Sequence, residues 1–234
     1  MTQTPLLSDI RAILFDKDGT LFDFQATWGT WAQGFIQREA GDDPALVQRL
    51  AEALQFDLQT RRFHPSSPVI AGTGREVAEL ISPTLGRPPE VLETLIVKSS
   101  AEVPPTEAVP LAPLLTRLRA AGLALGVATN DYESVARRHL GVHVPLFDTI
   151  FGFDSGHGGK PAPGMLLAFA RARGLAPAQV LMVGDSRHDL AAGRAAGMPT
   201  LGVLTGVAIA PDLADLADHI RPDIGHLPQM LGLA

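Results

Sequence analysis

Residues 10–23 read IRAILFDKDGTLFD, a short apolar run that ends abruptly in charged residues. The run from Ile10 to Phe15 is mostly apolar rather than alternating, which is typical of a strand covered on both faces. Asp16 and Asp18 follow it directly, with Gly19 behind them. In open α/β sheets, ligands bind beyond the carboxyl ends of the strands. The stretch therefore predicts a buried strand with a polar site at its carboxyl end.

Later parts of the chain repeat this alternation of apolar runs and helical patterns. Further buried strands are predicted at Leu123–Ala128, Thr149–Phe153, Val180–Val183 and Thr200–Leu204. Helices are predicted at Leu111–Ala121, Asp131–Leu140, Gly164–Arg173 and Arg187–Ala196, each with a glycine just after it or at its end, as a helix C-terminus favours. The alternation predicts an α/β fold class, with a doubly wound, Rossmann-like parallel sheet and helices on both faces.

The interval between the first two predicted strands is too long for one connection. It spans more than a hundred residues, whereas a strand–helix–strand unit needs roughly 30. The excess contains no convincing strand and four amphipathic helical patterns, at Gln25–Ala40, Pro44–Gln55, Gly74–Ile81 and Pro89–Ser100. We therefore expect an α/β core of residues 1–23 and 106–234, with an inserted α-helical cap domain at residues 24–105.

The composition excludes several classes of protein. The 234 residues are 46% hydrophobic and 19% charged, which indicates a globular chain. A net charge of −6 without a basic cluster argues against a nucleic-acid partner. The absence of cysteine excludes disulfides, thiolate zinc sites and cysteine nucleophiles. No apolar run approaches the ~18 residues of a membrane span, so we expect a soluble, cytoplasmic protein with no membrane partner. Nothing in the sequence indicates an oligomeric state.

The predicted strands end in residues that suit phosphate chemistry. These residues are Asp16, Asp18, Thr129, Asn130, Lys160, Asp185 and Asp189. Clustered carboxylates repel one another unless a hard cation lies among them, and Mg²⁺ prefers carboxylate and carbonyl oxygens. A lysine and a hydroxyl beside such an ion form a pocket for an oxyanion such as phosphate. The strand ends therefore predict a Mg²⁺-dependent phosphate site.

The paired aspartates of the first strand end suggest how such a site would react. Asp16 and Asp18 are two positions apart, so both can face one ligand, one attacking phosphorus and the other moving the proton. Gly19 lets the backbone turn and approach the ligand closely. Each residue alone also has a simpler interpretation. The first motif could be an ordinary turn, Lys160 a solvated loop charge, and Asp131 a helix cap, which is the interpretation we favour for Asp131.

Four motifs at the strand ends resemble those of the haloacid dehalogenase superfamily of phosphohydrolases. They read DKDGTLFD, ATND, GGKPAP and GDSRHDL, in this order, and the helical insertion resembles the capped members of that superfamily. The resemblance implies that Asp16 is the nucleophile and Asp18 the general acid/base, whose backbone carbonyl also binds Mg²⁺. It further implies that Gly19, Thr129, Asn130 and Lys160 bind the phosphoryl group, that Asp185 holds the metal, and that Asp189 orients Lys160 or a metal-bound water.

This resemblance implies a Mg²⁺-dependent phosphatase that acts on a small phosphorylated metabolite, with 2-phosphoglycolate as the best single substrate. A sugar-phosphate phosphomutase is the alternative among enzymes. The alternative that is not an enzyme is a non-catalytic phospholigand-binding protein. The nucleophile argues against it, because binding alone does not need one. A dehalogenase is disfavoured, because the dehalogenases that the chain resembles lack an equivalent of Asp18. Arg61, Arg62 and Arg75 are candidates for recognising a second anionic group of the substrate.

Overall fold

The computed structural model describes residue 7, residues 9–70 and residues 72–233. The strands of this part of the chain are β1 (Ala12–Phe15), β2 (Phe56–Asp57), β3 (Arg62–Phe63), β4 (Ala124–Ala128), β5 (Thr149–Phe151), β6 (Val180–Gly184), β7 (Thr200–Val203) and β8 (His219–Arg221). The helices are α1 (Phe24–Ala40), α2 (Pro44–Leu54), α3 (Gly74–Leu85), α4 (Pro89–Ala101), α5 (Leu111–Ala120), α6 (Glu133–Leu140), α7 (Gly164–Arg173), α8 (Arg187–Ala196), α9 (Ala210–Leu213) and α10 (Leu227–Met230). None of the described helices is long and apolar enough to cross a membrane.

Six of the described strands form one parallel sheet in the order β5-β4-β1-β6-β7-β8. The predicted α/β fold class is therefore confirmed. The strand β1 lies inside the sheet, with Phe15 in register with Val127 of β4 and Val183 of β6. Because these strands are parallel and in register, their carboxyl ends share one edge of the sheet.

Both faces of the sheet are covered by helices, which explains why its strands are apolar without alternation. Ile13 and Phe15 belong to a hydrophobic cluster that includes residues of α5, α6 and α10. Ala12 and Leu14 belong to a second cluster with residues of α7 and α8. Successive side chains of a strand point to opposite faces, so an apolar residue is needed at every position.

The helices α1 to α4 lie between β1 and α5 in the chain and have a hydrophobic cluster separate from those of the sheet. Its fully buried side chains include Phe35, Leu50 and Ile81. The two chain segments that join these helices to the sheet run side by side. The Asp23 N–H donates to the Thr106 carbonyl at 2.8 Å, and the Ala108 N–H donates to the Leu21 carbonyl at 2.9 Å.

Two short features were not predicted. The expectation that the inserted segment lacks strands is wrong, since β2 and β3 form a small antiparallel hairpin. Its turn is held by the Asp57 carboxylate, which accepts the N–H groups of Gln59 and Thr60, both at 2.8 Å. The edge strand β8 was also missed. Each of these three strands contains a single apolar residue, so none of them produces an apolar run that can be recognised in the sequence.

A pair of glycine substitutions tests the packing of the sheet. A Cβ atom at Gly126 in β4 would lie 2.5 Å from the Phe169 ring and 2.9 Å from Leu14. Gly126→Ala is therefore expected to lower the free energy of unfolding by about 1–3 kcal/mol through overpacking. Gly34→Ala, in the middle of α1 with no atom within 4 Å, should raise it by about 0.5–1 kcal/mol. Urea unfolding of both variants measures the two changes in unfolding free energy. A Gly126→Ala protein as stable as the wild type would contradict the packing of Gly126 against Phe169 and Leu14.

Candidate active site

The nucleophile candidate lies at the end of β1 and contacts a buried lysine. Asp16 follows Phe15 directly, and its Oδ1 atom lies 2.5 Å from the Nζ atom of Lys160. The same Nζ atom lies 2.6 Å from Oδ1 of Asp189. All three side chains are buried. One ammonium group therefore bridges two carboxylates, one directly after β1 and the other in the first turn of α8.

The position of Asp189 follows from the way α8 begins. Ser186 is the N-cap of this helix and Asp189 is its third residue, and the two form a reciprocal capping box. The Asp189 Oδ2 atom accepts hydrogen bonds from the Ser186 backbone N–H at 3.0 Å and from its hydroxyl at 2.6 Å. The other carboxylate oxygen is thereby left to face Lys160. This double function of Asp189 was not predicted.

Asp16, Asp185 and Asp189 bring carboxylate oxygens within 4.8 Å of one another. Burial raises the pKa of Asp16 to about 7; Lys160 partly opposes this rise, and the charges of Asp189 and Asp18 add to it. Burial also raises the pKa of Asp185 well above its usual value, and Asp189 and Asp16 add to that shift. The single positive charge of Lys160 does not offset the negative charge of three buried carboxylates. The donor set therefore fits a hard divalent cation, whose ligands are carboxylate oxygens.

The predicted metal ligands only partly coincide with this cluster. Asp16 and Asp185 belong to it, and Asp189, predicted to act indirectly, contributes an oxygen as well. The side chain of Asp18 is not part of the cluster, since both of its oxygens face Lys17. The prediction for Asp18 concerns its backbone carbonyl, which stays a prediction.

Gly19 brings the first motif close to Asp185. Its φ of 85° is in the left-handed region, and a Cβ atom there would collide with the Asp185 carboxylate. The next residue, Thr20, donates its hydroxyl to Asp185 Oδ1 at 3.3 Å. The Gly19 N–H donates to the Phe22 carbonyl at 2.7 Å, and Gly19 does not line the cavity described below. Gly19 therefore allows the first motif to lie close to Asp185, and its predicted contact with a phosphoryl group stays a prediction.

Thr129 and Asn130 follow β4 and have different partners. The Thr129 hydroxyl accepts the Asp131 N–H at 3.1 Å, and Thr129 is buried at the cavity wall. The Asn130 amide holds the backbone of Lys160, donating to its carbonyl at 2.9 Å and accepting its N–H at 2.8 Å. Asn130 was predicted to bind phosphate beside Thr129. Its hydrogen bonds to Lys160 fix the loop that carries this lysine, and because Asn130 also lines the cavity described below, phosphate binding by Asn130 stays a prediction.

Sequence reasoning missed a second buried lysine. Lys17 is fully buried, and its Nζ atom lies 2.8 and 2.7 Å from the two oxygens of Asp18 and 3.2 Å from Oδ2 of Asp131. Burial alone would lower the pKa of Lys17, but Asp18 and Asp131 outweigh it and the pKa lies above its usual value. Asp131, predicted to cap α6, does not do so, because Tyr132 occupies the N-cap. The position of Lys17 between Asp16 and Asp18 of the first motif was the signal in the sequence that could have indicated this second lysine.

The contacts of Lys17 extend into the inserted helices. Its Nζ atom lies 3.1 Å from Nδ1 of His139, whose Nε2 atom lies 2.8 Å from the Ser100 carbonyl at the end of α4. Burial, followed by the charge of Lys17, lowers the pKa of His139 to about 4, so the imidazole is neutral. Nδ1 then accepts from Lys17 and Nε2–H donates to Ser100. The Trp28 ring of α1 lies 5.5 Å from the lysine nitrogen.

We expect Lys17→Met to be strongly destabilising, because it leaves Asp18 and Asp131 without their buried cation. Breaking a buried pair from one side costs about 3–5 kcal/mol of unfolding free energy. Adding Asp131→Asn removes one uncompensated charge, so the double variant should recover part of the loss. Urea unfolding of the two single variants and the double variant measures this coupling. If the losses of unfolding free energy in the two single variants simply add in the double variant, the pairing of Lys17 with Asp131 contributes nothing to stability.

A cavity lies between the sheet edge and the inserted helices. The core contributes mainly polar and charged residues to it: Asp16, Asp18, Thr129, Asn130, Asp131, Tyr132, Lys160, Asp185, Ser186, His188 and Asp189. The inserted segment contributes mainly apolar side chains from α1, α3 and α4. Arg61, Arg62 and Arg75, the candidates for anion recognition, do not line it. Arg75 instead contacts Glu79 at 2.7 Å and Glu90 at 2.9 Å on the surface.

Comparison with known families identifies this arrangement. The family model described as haloacid dehalogenase-like hydrolase matches residues 10–197, which include all four strand-end motifs. The chain belongs to the haloacid dehalogenase-like hydrolase family. The resemblance in the motifs is thus confirmed. Phosphatases of this family generally use a divalent metal, which agrees with the cluster of buried aspartates.

Among the relatives of this hydrolase are enzymes named phosphoglycolate phosphatase. One from Shigella boydii serotype 4 is 29% identical over 236 residues, covering 92% of this chain and 88% of the relative. One from Salmonella typhimurium is 29% identical over 249 residues, covering 97% of this chain and 94% of the relative. A crystal structure of a putative haloacid dehalogenase-like hydrolase from Bacteroides fragilis aligns with a TM-score of 0.68 at 25% identity, covering 93% and 99% of the two chains.

Proposed function

We propose that this hydrolase is a Mg²⁺-dependent phosphatase that hydrolyses a small phosphate monoester through an aspartyl-phosphate intermediate. The observation that carries the proposal is the Lys160 ammonium between Asp16 and Asp189, with Asp185 completing a buried carboxylate cluster. A site for binding alone does not need a buried carboxylate nucleophile held against its own counter-ion. The arrangement favours phosphoryl transfer to Asp16 over simple anion binding.

The proposed reaction has two displacements at phosphorus. A carboxylate oxygen of Asp16 forms a bond to phosphorus while the ester P–O bond breaks, and Asp18 donates a proton to the departing alcohol oxygen. In the second step water attacks phosphorus, Asp18 takes its proton, and the Asp16–phosphorus bond breaks to release phosphate. The Thr129 hydroxyl and the Lys160 ammonium bind phosphoryl oxygens in both steps.

The metal and the inserted helices assist this reaction. Asp16, Asp185 and the backbone carbonyl of Asp18 would hold Mg²⁺, with the Asp189 carboxylate nearby. When bound, the ion neutralises negative charge on the phosphoryl group and on the nucleophile. Residues 24–105 act as a cap over the core of residues 1–23 and 106–234. The paired segments around Asp23 and Thr106 are the joints about which it closes to exclude water.

The first test is release of inorganic phosphate from a panel of phosphate esters, with and without Mg²⁺. The panel includes acetyl phosphate, p-nitrophenyl phosphate, sugar phosphates and 2-phosphoglycolate, the last because of the names of the relatives. We expect Mg²⁺-dependent phosphate release from several members. Conversion of a sugar phosphate to its isomer without phosphate release would indicate a phosphomutase. Binding of esters without any turnover would indicate a non-catalytic phospholigand-binding protein.

A further inference from the structure

The wall that the inserted helices present to the cavity carries no charge. Its described side chains come from α1, α3, α4 and the loop before α3: Phe24, Trp28, Trp31, Val69, Ile70, Val77, Ile96, Val97 and Ser100, with Gly72 and Gly74 between them. This wall, called the cap wall below, lies opposite the phosphate site. It is therefore the surface that the organic part of a bound ester would contact.

Most polar atoms of the cap wall already have partners within the protein. The Trp31 indole N–H donates to the Ser99 hydroxyl at 3.0 Å, and the Ser100 hydroxyl donates to the Val97 carbonyl at 3.1 Å. The Trp28 indole N–H is buried without a hydrogen-bond partner among the described residues. The cap wall therefore offers a bound alcohol extensive apolar surface and few hydrogen bonds.

The two lysines at the sheet edge, Lys160 and Lys17, both form ion pairs with aspartates. Lys160 contacts Asp16 and Asp189, and it is also the proposed ligand of the phosphoryl group. Lys17 contacts Asp18 and Asp131, and does not line the cavity. Among the described cavity-lining residues, the other side chain that can carry positive charge is His188, which is exposed at the rim.

A substrate carboxylate would be poorly accommodated here. It would lose water against apolar side chains without gaining a counter-ion, and the Asp131 carboxylate also lines the cavity. An uncharged apolar group would lose little on entering the same space and would gain contacts with the aromatic side chains of α1.

We propose that the substrate is a phosphate monoester of an uncharged, mainly apolar alcohol, with an aromatic or branched aliphatic group packed on the cap wall. Esters that carry a carboxylate, including 2-phosphoglycolate, are poor substrates. This inference rests on the proposed phosphatase function and narrows its substrate class. The cap wall, and not Arg61, Arg62 or Arg75, then sets the specificity.

The direct test compares kcat/KM for benzyl phosphate and 2-phosphoglycolate in the presence of Mg²⁺. The alcohols released have similar acidity, so the comparison mainly reports recognition of the organic group. We expect benzyl phosphate to be preferred by at least about tenfold, or roughly 1.4 kcal/mol in the transition state. A ratio at or below one overturns the inference and leaves the phosphatase proposal intact.

A substitution in the cap wall tests whether this surface sets the preference. Val97→Lys places a cation beside the cavity from a half-buried position of α4. It should shift the ratio of kcat/KM values toward 2-phosphoglycolate by about tenfold or more, since the carboxylate gains a counter-ion. The matched control is Val91→Lys on the same helix, where the side chain is 46% exposed and does not line the cavity. An unchanged ratio in folded Val97→Lys overturns the assignment of specificity to the cap wall.

Binding of phosphonates tests the inference without turnover. The chain has two tryptophans, Trp28 and Trp31, and both line the cavity, so their fluorescence reports its occupancy. Benzylphosphonate should bind the Mg²⁺-loaded protein at least about tenfold more tightly than phosphonoacetate. If benzylphosphonate is preferred while no ester is hydrolysed, the phosphatase proposal fails and the cavity assignment stands. Tighter binding of phosphonoacetate overturns the assignment whatever the activity.

Discussion

Asp16→Asn is expected to reduce phosphate release by at least about a thousandfold, roughly 4 kcal/mol in the barrier. An amide of nearly the same size as the carboxylate is a poor nucleophile, so the variant cannot form the acyl phosphate. The measurement is kcat at saturating p-nitrophenyl phosphate with Mg²⁺. It is combined with acid quenching after a pulse of ³²P-labelled acetyl phosphate, which should label the wild-type protein and not the variant.

The stability of Asp16→Asn separates loss of the nucleophile from loss of the fold. Because burial raises the pKa of Asp16 to about 7, ionising this group disfavours the metal-free folded state. Its destabilising effect therefore grows as the pH rises from about 4 to 7 and is complete above pH 7. The uncharged variant should be at least as stable as the wild type at pH 8 without metal.

Asp42→Asn, on the exposed turn after α1, is the control for the activity of Asp16→Asn. Residual activity of Asp16→Asn within about tenfold of wild type contradicts the covalent mechanism.

Removal of the metal is expected to stop the reaction. EDTA should abolish phosphate release and added Mg²⁺ should restore it, since the three buried carboxylates otherwise repel both one another and the phosphate. Asp185→Ala should raise the Mg²⁺ concentration for half-maximal activity by about a hundredfold or more, roughly 2.7 kcal/mol of binding free energy. Asp215→Ala is the control, because this aspartate is exposed and contacts only Arg187 among the described ion pairs.

The carboxylate cluster also predicts how Mg²⁺ binding depends on pH. With the pKa of Asp16 near 7 and that of Asp185 raised, the metal-free site retains protons at pH 6 that the ion must displace. Mg²⁺ should therefore bind more weakly at pH 6 than at pH 8, with greater proton release at the lower pH. Calorimetry in buffers of different ionisation enthalpy measures both quantities. Full activity in EDTA, with no metal detected in the protein, would refute the proposed metal site.

The elements of the sheet were largely predictable because their signal is local. Strands covered on both faces need an apolar residue at every position, and β1 and β4 to β7 are found within two residues of their predicted ends. The helices α7 and α8 begin and end where predicted. The edge strand β8 and the hairpin of β2 and β3 were missed, because each of these strands contains a single apolar residue and so forms no apolar run.

The convergence of the site residues was also predictable from sequence, for a topological reason. Parallel strands end at one edge of a sheet, so Asp16, Thr129 and Asp185 had to lie near one another once their strands were identified. Sequence alone could not show which groups pair there. The bridge from Lys160 to Asp16 and Asp189, and the Asn130 amide on the Lys160 backbone, join residues far apart in the chain.

The sequence by itself determined the fold class and the set of residues at the sheet edge, because both depend on periodicity and order along the chain. Only the tertiary structure decided the pairing of Lys17 with Asp18 and Asp131, the neutral state of His139 and the uncharged cap wall. The pairing of Lys17 depends on the adjacency of β1 and β4, and the other two depend on which helix faces meet the sheet edge. That choice is made by long-range packing of α1, α3 and α4, whose apolar residues serve both their own core and the cavity.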